Sequence, residues 1–293
     1  MAEGIHSLAQ IYDRSMRYLL IACAAAMTIM IGAIIVFVGQ QGLMTFTEVS
    51  AAEFFFSDKW DPTEGQFGAF SFIFGSAATA ALAVLFGAPI ALAGAVFMAK
   101  IAPERVRSVM RPAVDLYVAI PSVVYGYIGL TVLVPMIREI FDTSVGFGLL
   151  AAGLVLAVMI LPTIISISED AIRAVPKSLE EASLALGATR WQTLRKVILP
   201  AAMPGILTSV ILALARAVGE TMAVQMVIGN TPLLASSLFM PTATLTSNIV
   251  VEMGNTPFGS AWGNSLFLMA LVLLMMSLAM ILIIRRIAKG REI

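Results

Sequence analysis

Six apolar runs, each long enough to cross a bilayer, constrain this chain more than any other feature; they lie at about Tyr18–Val38, Phe70–Met98, Ala113–Ile137, Phe147–Ile167, Pro204–Ile228 and Asn264–Ile284. A helix needs about 20 predominantly apolar residues to cross the hydrocarbon layer. Barrel strands would instead alternate apolar and polar residues over about 10 positions. Every backbone polar group in lipid must be paired, so continuous runs of this length predict helices. Composition agrees: 59% of the 293 residues are hydrophobic and 12% are charged, against about 25% charged in a soluble domain. The expected fold class is an all-α membrane protein with about six transmembrane helices in one domain. The second run is too long for one perpendicular crossing and is interrupted by Gly87 and Pro89, which predicts a tilt or an interfacial start. No small-residue cleavage pattern closely follows the first run, which therefore reads as a resident span rather than a cleaved signal.

Charge sets the orientation. Under six crossings, Arg14, Arg17, Lys100, Arg105, Arg107, Arg111, Arg173, Lys177, Arg190, Arg195, Lys196, Arg285, Arg286, Lys289 and Arg291 share one side, and only Lys59 and Arg138 fall on the other. By the positive-inside rule both termini are cytoplasmic. Residues 1–17 then form a cytoplasmic N-terminal segment, 18–284 the transmembrane domain and 285–293 a cytoplasmic tail. The opposite loop carries Glu48, Glu53, Asp58, Asp61 and Glu64; its Phe54, Phe55, Phe56 and Trp60 are expected at headgroup level as an aromatic belt. The formal charge of zero suggests no nucleic-acid partner. Cys23, the single cysteine, is expected to be a small buried hydrophobe and has no disulfide partner. His6 is the single histidine, so no metal site is expected. No cluster of nucleophile, base and metal ligands points to an enzyme.

The longest cytoplasmic segment, about residues 169–203, is unlike its surroundings. Ser178 is placed to cap a helix whose first turn holds Glu180 and Glu181. Gly187 permits a sharp turn, a second short helix is expected over Thr189–Leu199, and Pro200 and Pro204 close the loop. Such a helix-turn-helix suits rigid docking to a soluble partner whose motion is passed to the spans. A solvated amphipathic loop accounts for the same residues.

In the fifth run, Arg216 and Glu220 are four residues apart and are expected to share a helix face. Charges at that depth each cost at least about 2.5 to 3.5 kcal/mol on insertion scales. A self-neutralising pair in this order gains only about 0.2 to 0.5 kcal/mol, which does not offset burial. The alternative is that Arg216 offers its planar fork of donors to a passing oxyanion while Glu220 holds or releases the guanidinium. Ala213, Ala217 and Gly219 would allow close helix approach, including to a partner.

Glu181-Ala182-Ser183, then Gly187, then Val197-Ile198-Leu199-Pro200 resembles the EAA loop of ABC importer permeases. The resemblance implies the type I importer permease fold and a coupling helix seated in an ATPase subunit. Carried onto this chain, Glu181, Ala182 and Gly187 belong to that contact, with Leu184 and Leu186 as its apolar knobs; Glu180 and Arg190 of the same elbow are expected to take part in the ATPase coupling. The chain has no G-x-x-x-x-G-K-[ST] phosphate loop, so no cofactor is expected on this chain, and ATP and Mg are expected in a separate ATPase.

Arg216 to Val224 followed by Val227-Ile228-Gly229-Asn230, Ala119 to Gly126, and Trp60-Asp61-Pro62 with Phe67-Gly68 resemble the PstC-type permeases of the high-affinity phosphate importer. With the EAA loop, the likeness runs from about residue 55 to the end. It implies inorganic phosphate as cargo and Arg216, Glu220, Thr221, Ser122 and Tyr125 along its path, the last two as hydroxyl donors. Pro121 reads as a helix irregularity that exposes backbone there. The implied partners are a homologous PstA-type permease, a PstB-type ATPase dimer and a PstS-type extracytoplasmic phosphate-binding protein. Membrane lipid surrounds the chain, in a bacterial or archaeal cytoplasmic (inner) membrane. Rival readings are a permease for molybdate, sulfate or phosphonate, and a secondary transporter driven by an ion gradient.

Overall fold

A computed structural model describes residues 2–289. Six helical stretches are long and apolar enough to cross a membrane: Arg14–Thr47, Phe70–Ile101, Ser122–Ile140, Leu149–Arg173, Arg190–Gly219 and Ala261–Ile283. An even number of crossings returns the chain to the side on which it began. The expected cytoplasmic tail falls partly outside the described residues, Arg291 included.

The helices in order are α1 (Ala2–Leu43), α2 (Ala51–Phe56), α3 (Phe70–Val96), α4 (Glu104–Val118), α5 (Ser122–Ile128), α6 (Val134–Ile140), α7 (Leu149–Arg173), α8 (Lys177–Ala185), α9 (Arg190–Thr193), α10 (Leu199–Gly219), α11 (Met222–Val227), α12 (Leu245–Met253) and α13 (Ala261–Lys289). A two-residue hairpin, β1 (Trp60–Asp61) with β2 (Gln66–Phe67), joins α2 to α3. The bundle is organised around α7, which packs against α3 on one side and α10 on another. Val155, Leu156, Met159, Ile160 and Ile164 of α7 are all buried. Small residues let α3 and α7 close on each other: a Cβ on Gly87 would lie 3.0 Å from the Ala157 carbonyl oxygen, and one on Gly153 would lie 2.7 Å from Leu82 Cβ. Such contacts are the usual basis of helix association in lipid, where no hydrophobic drive operates between helices.

By contrast, α1 leans on α13 near its outer end, where Phe37 and Phe267 stack edge to face with centroids 5.6 Å apart. Cys23 on this helix is exposed, which corrects the expectation of a buried position. The expectation failed because a span at the edge of the bundle turns its apolar residues outward to lipid.

The third span also differs from its expected limits. Ala113–Ile137 does not form one helix: α4 stops at Val118, and α5 starts after Pro121. Proline lacks an N–H, and its ring disfavours the helical region at the residue before it. No residue of α4 is buried. Its Glu104, Arg105, Arg107, Arg111 and Asp115 suit an interfacial helix rather than a crossing. The span proper runs through α5, a π-helical turn at Gly129–Leu133 and α6.

On the outer side, α2, the hairpin and α12 close over the bundle. Phe54 is fully buried and Trp60 is 7% exposed, stacked edge to face on Phe67 and Phe72 at 5.6 and 5.4 Å. These aromatics form a small core rather than the expected belt; Phe56 alone of the four is left largely exposed. Their hydrophobic payload is better spent on each other because the Glu252 carboxylate holds the cap closed. It accepts the Trp60 indole N–H at 2.9 Å and the Trp262 indole N–H at 2.6 Å. Burial holds the Glu252 carboxyl above the ordinary range, opposed by the hydrogen bonds from Trp262 and Trp60. Replacing Glu252 by Ala would orphan both indole donors at roughly 1 to 3 kcal/mol for each buried group. Glu252→Ala is therefore expected to lower the thermal unfolding midpoint of the purified protein and to shift its tryptophan fluorescence toward that of exposed indole. An unchanged midpoint would show that the carboxylate does not hold the cap.

Candidate translocation site and cytoplasmic elbow

Helix α10 ends at Gly219, and Glu220 takes up an extended conformation with φ −70° and ψ 127°. After Thr221 the chain re-enters a helix as α11. The expectation that Arg216 and Glu220 share a helix face is thus corrected, as is a fifth span running unbroken to Ile228. Glycine is a weak helix former, and the break is held by contacts from elsewhere in the chain. The Thr246 hydroxyl donates to the Glu220 carbonyl at 3.2 Å, and Thr244 and Thr246 hydroxyls are 3.0 Å apart. The Leu245 N–H donates to Ser76 Oγ at 2.9 Å, which fastens the start of α12 to α3. The Glu220 carboxylate accepts the Ala223 N–H at 3.3 Å and so caps the first turn of α11. Thr221 Oγ1 donates to the Gly219 carbonyl at 3.3 Å.

Arg216 is left without an ion pair or hydrogen bond among the described residues, and it is partly exposed. Glu220 does not neutralise it. An unpaired guanidinium in a span is tolerable where it faces water, an anion or another subunit, and costly against lipid.

A second irregularity faces the first. Gly126 on α5 packs against α11, where an added Cβ would lie 2.9 Å from Ala223 Cα and 2.8 Å from Met226 S. Only a residue without a side chain lets the two backbones approach so closely. Tyr125, 8% exposed, donates its hydroxyl to the Tyr117 carbonyl at 2.7 Å. With its proton committed to Tyr117, this hydroxyl braces α5 against α4 rather than standing ready to donate to cargo. Ser122, half-buried at the start of α5, makes no hydrogen bond to the described residues and keeps its donor free. Sequence reasoning missed Thr244, Thr246 and Ser76. The signal was the density of hydroxyls in Thr242-Ala243-Thr244-Leu245-Thr246-Ser247, inside an otherwise apolar chain.

On the cytoplasmic side, α8 begins after Pro176 with no side-chain cap. Ser178 therefore lies within the first turn instead of capping it. The proline presets the entry dihedral, and the helix starts earlier than Ser178 would allow. Gly187 turns the chain at φ +81°, a left-handed conformation that favours glycine. Thr189 and Gln192 form a reciprocal capping box. From there the chain stays helical through α9, a π-helical turn at Leu194–Ile198 and α10. The expected second short helix closed by Pro200 and Pro204 is instead the start of the fifth span. Pro200 directly follows the π-helical turn within this continuous helical stretch, and the irregular turn lies where a proline leaves the ladder one N–H short.

The elbow displays apolar residues outward. Leu179 is 44%, Leu184 41%, Leu186 89% and Trp191 65% exposed. Glu181, Ala182 and Arg190 are exposed beside them, while Glu180 turns inward to Lys100 at 2.6 Å. Leu179 and Trp191 join the knobs that the sequence singled out. A cluster of this kind on a charged cytoplasmic elbow marks an interaction surface. Among the described residues no group of His, Cys, Asp and Glu is placed to hold a metal.

The packing of α5 on α11 can be tested directly. Overfilling a tight contact costs about 1 to 3 kcal/mol, so Gly126→Ala should lower the thermal midpoint. Gly32→Ala, where nothing lies within 4 Å of the new Cβ, should leave it unchanged or raise it. Equal effects would remove the argument for close approach.

Residues 91–291 match the family described as binding-protein-dependent transport system inner membrane component. The probable ABC transporter permease protein YqgH of Bacillus subtilis is 50% identical over 281 residues, covering 94% of this chain and 91% of that protein. The phosphate transport system permease protein PstC of Mesorhizobium japonicum is 34% identical over 286 residues, 90% of this chain and 86% of that protein. PstC of Haemophilus influenzae is 37% identical over 247 residues, 78% of each chain. Among solved structures, a chain of a bacterial alginate ABC transporter, in complex with its alginate-bound periplasmic protein, superposes with a TM-score of 0.64 at 18% identity. It covers 93% of this chain and 96% of that one, a likeness of fold. The six spans, the broken helix and the elbow thus sit in a chain that belongs to the family of binding-protein-dependent transport system inner membrane components, the permeases of ABC importers.

Proposed function

We propose that this chain is a PstC-type permease subunit that conducts inorganic phosphate through the cytoplasmic membrane of its cell. Relatives that bear the phosphate-permease name align with most of its length. The observation that carries the reading is Arg216, an unpaired guanidinium beside a helix break within a span. Planar, permanently charged and able to donate two parallel hydrogen bonds, it matches the geometry of a phosphate oxyanion. Discontinuous helices at membrane depth are tolerated where they line a cavity or lie against protein, and transporters build substrate sites from them.

In this reading Ser122, with its free hydroxyl, faces the same path. Glu220 holds the break open through Ala223 instead of neutralising Arg216. One cation is a weak match for a phosphate dianion, so the second permease, of PstA type, is assigned another. An extracytoplasmic binding protein of PstS type delivers the ion. A PstB-type ATPase dimer, which holds ATP and Mg, receives the elbow formed by α8 and α9. Binding and hydrolysis of ATP move that elbow and alternate the access of the path.

Two outcomes are expected. Loss of a charge-assisted hydrogen-bonding group costs about 1.5 to 3 kcal/mol, so Arg216→Ala should cut labelled phosphate uptake by about ten-fold or more, with Arg216→Lys intermediate because it keeps charge without the fork. Unlabelled phosphate should compete, and sulfate, molybdate and phosphonate should not. Full uptake by Arg216→Ala would refute the assignment of the path. Separately, Leu186→Asp should reduce recovery of the ATPase with the tagged permease while the permease keeps its own unfolding midpoint. Substitutions at an exposed surface site usually stay within about 0.5 kcal/mol. Undiminished recovery would remove Leu186 from the contact.

A further inference from the structure

The elbow helix α8 has no buried residue of its own. Its apolar side chains are only partly covered, with Leu184 41% exposed beside Ala99 and Val175 of the inner cavity, so apolar packing holds it weakly to the bundle. Its side-chain links to the bundle are two polar ones. Glu180 Oε2 lies 2.6 Å from Lys100 Nζ, both half-buried, and Ser183 Oγ lies 3.0 Å from Thr193 Oγ1, which is buried at the start of the fifth span. A cavity of about 540 Å3 lies beside the first link, lined by Lys100, Arg107, Arg173, Lys177, Glu180 and Glu181 among others.

Lys100 stands in a π-helical turn, Phe97–Ile101, that ends the second span. Such turns recur at functional positions in helices. In the same turn the buried Met98 offers its carbonyl to Arg107 Nε at 3.0 Å, which attaches α4. Helix α4 is then clamped to the inner end of α7, where Arg111 makes paired hydrogen bonds of 2.8 and 3.1 Å to Asp170. At its far end the Tyr117 carbonyl receives the Tyr125 hydroxyl of α5. Polar contacts thus lead from Glu180 through Lys100 and α4 to α5, which packs against α11 at the helix break.

We propose that Lys100 is a positioning residue for energy coupling: its ion pair with Glu180 transmits displacement of the elbow to the second span and α4, and so to the path. The proposal rests on the importer reading above. It goes beyond it by assigning the transmission to Lys100, which lies outside the EAA loop, and by giving α4 a mechanical part. With only partly covered apolar side chains on α8, loss of this pair lets the elbow move with its ATPase while the second span lags behind.

The test uses the complete importer, purified through this chain and reconstituted in vesicles, with phosphate moved per ATP hydrolysed as the readout. Lys100→Glu sets like charges against each other and should lower that ratio by about five-fold or more. The exchanged pair, Lys100→Glu with Glu180→Lys, should bring it back to within about two-fold of the starting protein. If Lys100→Glu does not accumulate in the membrane, Lys100→Met keeps the length of the stem without the charge and should also lower the ratio. A merely structural pair would change the unfolding midpoint and leave the ratio intact, and that result overturns the proposal. So does an exchanged pair no better coupled than the single variant. Should the unsubstituted complex contain no ATPase or move no phosphate, the importer reading itself fails; a coupled complex indifferent to Lys100 defeats the ion-pair assignment alone.

Discussion

A guanidinium in a membrane span must be compensated, and in this chain nothing on its own helix does so. Glu220 sits one turn further on in sequence, yet the backbone has left the helix by then and its carboxylate is engaged in capping α11. The architecture around Arg216 follows from that requirement. The break after Gly219, the pin from Thr246 and the close contact between Gly126 and Ala223 gather polar backbone and its partners a few residues along the chain from it. A continuous α10 would have carried Glu220 onto the face of Arg216 and closed the charge upon itself.

The two ends of the molecule solve different problems. The outer cap is a small aromatic core closed by a single carboxylate, a compact solution for a loop that must stay folded in water above the membrane. The inner end leaves its elbow helix without a fully buried residue while exposing leucines and a tryptophan. Between them the buried helix α7 provides a fixed centre. Ser168 of α7 and Ser209 of α10 share a buried hydrogen bond of 2.8 Å, and Glu169 is fully buried beside Arg111 and Arg173 at 3.5 and 3.3 Å. This buried middle carries its polar attachments at the inner rim.

Apolar length alone located all six spans, because the demand for paired backbone in lipid leaves few alternatives to a helix. Where a span breaks, hydropathy is silent. Val114 to Val118 is apolar enough to pass for membrane, and Pro121 announced the irregularity but not that it would cast α4 out as a separate helix. The end of α10 is set by Thr246, distant in sequence, so a local reading of Gly219-Glu220-Thr221 had no access to it. Ala213 and Ala217 were legible as contact residues, but they serve the core of this chain, where both are buried, rather than a partner. Phe54 and Trp60 carried the right hydrophobicity and the wrong address, since an interface belt and a miniature core have the same composition. The elbow was legible in outline through Gly187 and the helical segment that starts after it, while its cap, Thr189 with Gln192, was not. Its internal bonds were not: the pairing of Glu180 with Lys100 joins segments far apart in the chain.

The central claim is that position 216 opens onto water rather than acyl chains. The most direct measurement places a cysteine there in a Cys23→Ser background, within the assembled importer, and compares labelling by a charged, membrane-impermeant thiol reagent with labelling by a lipid-soluble one. The account predicts reaction with the charged reagent, altered when ATP is bound. Reaction with the lipid-soluble reagent alone, in every nucleotide state, would contradict it.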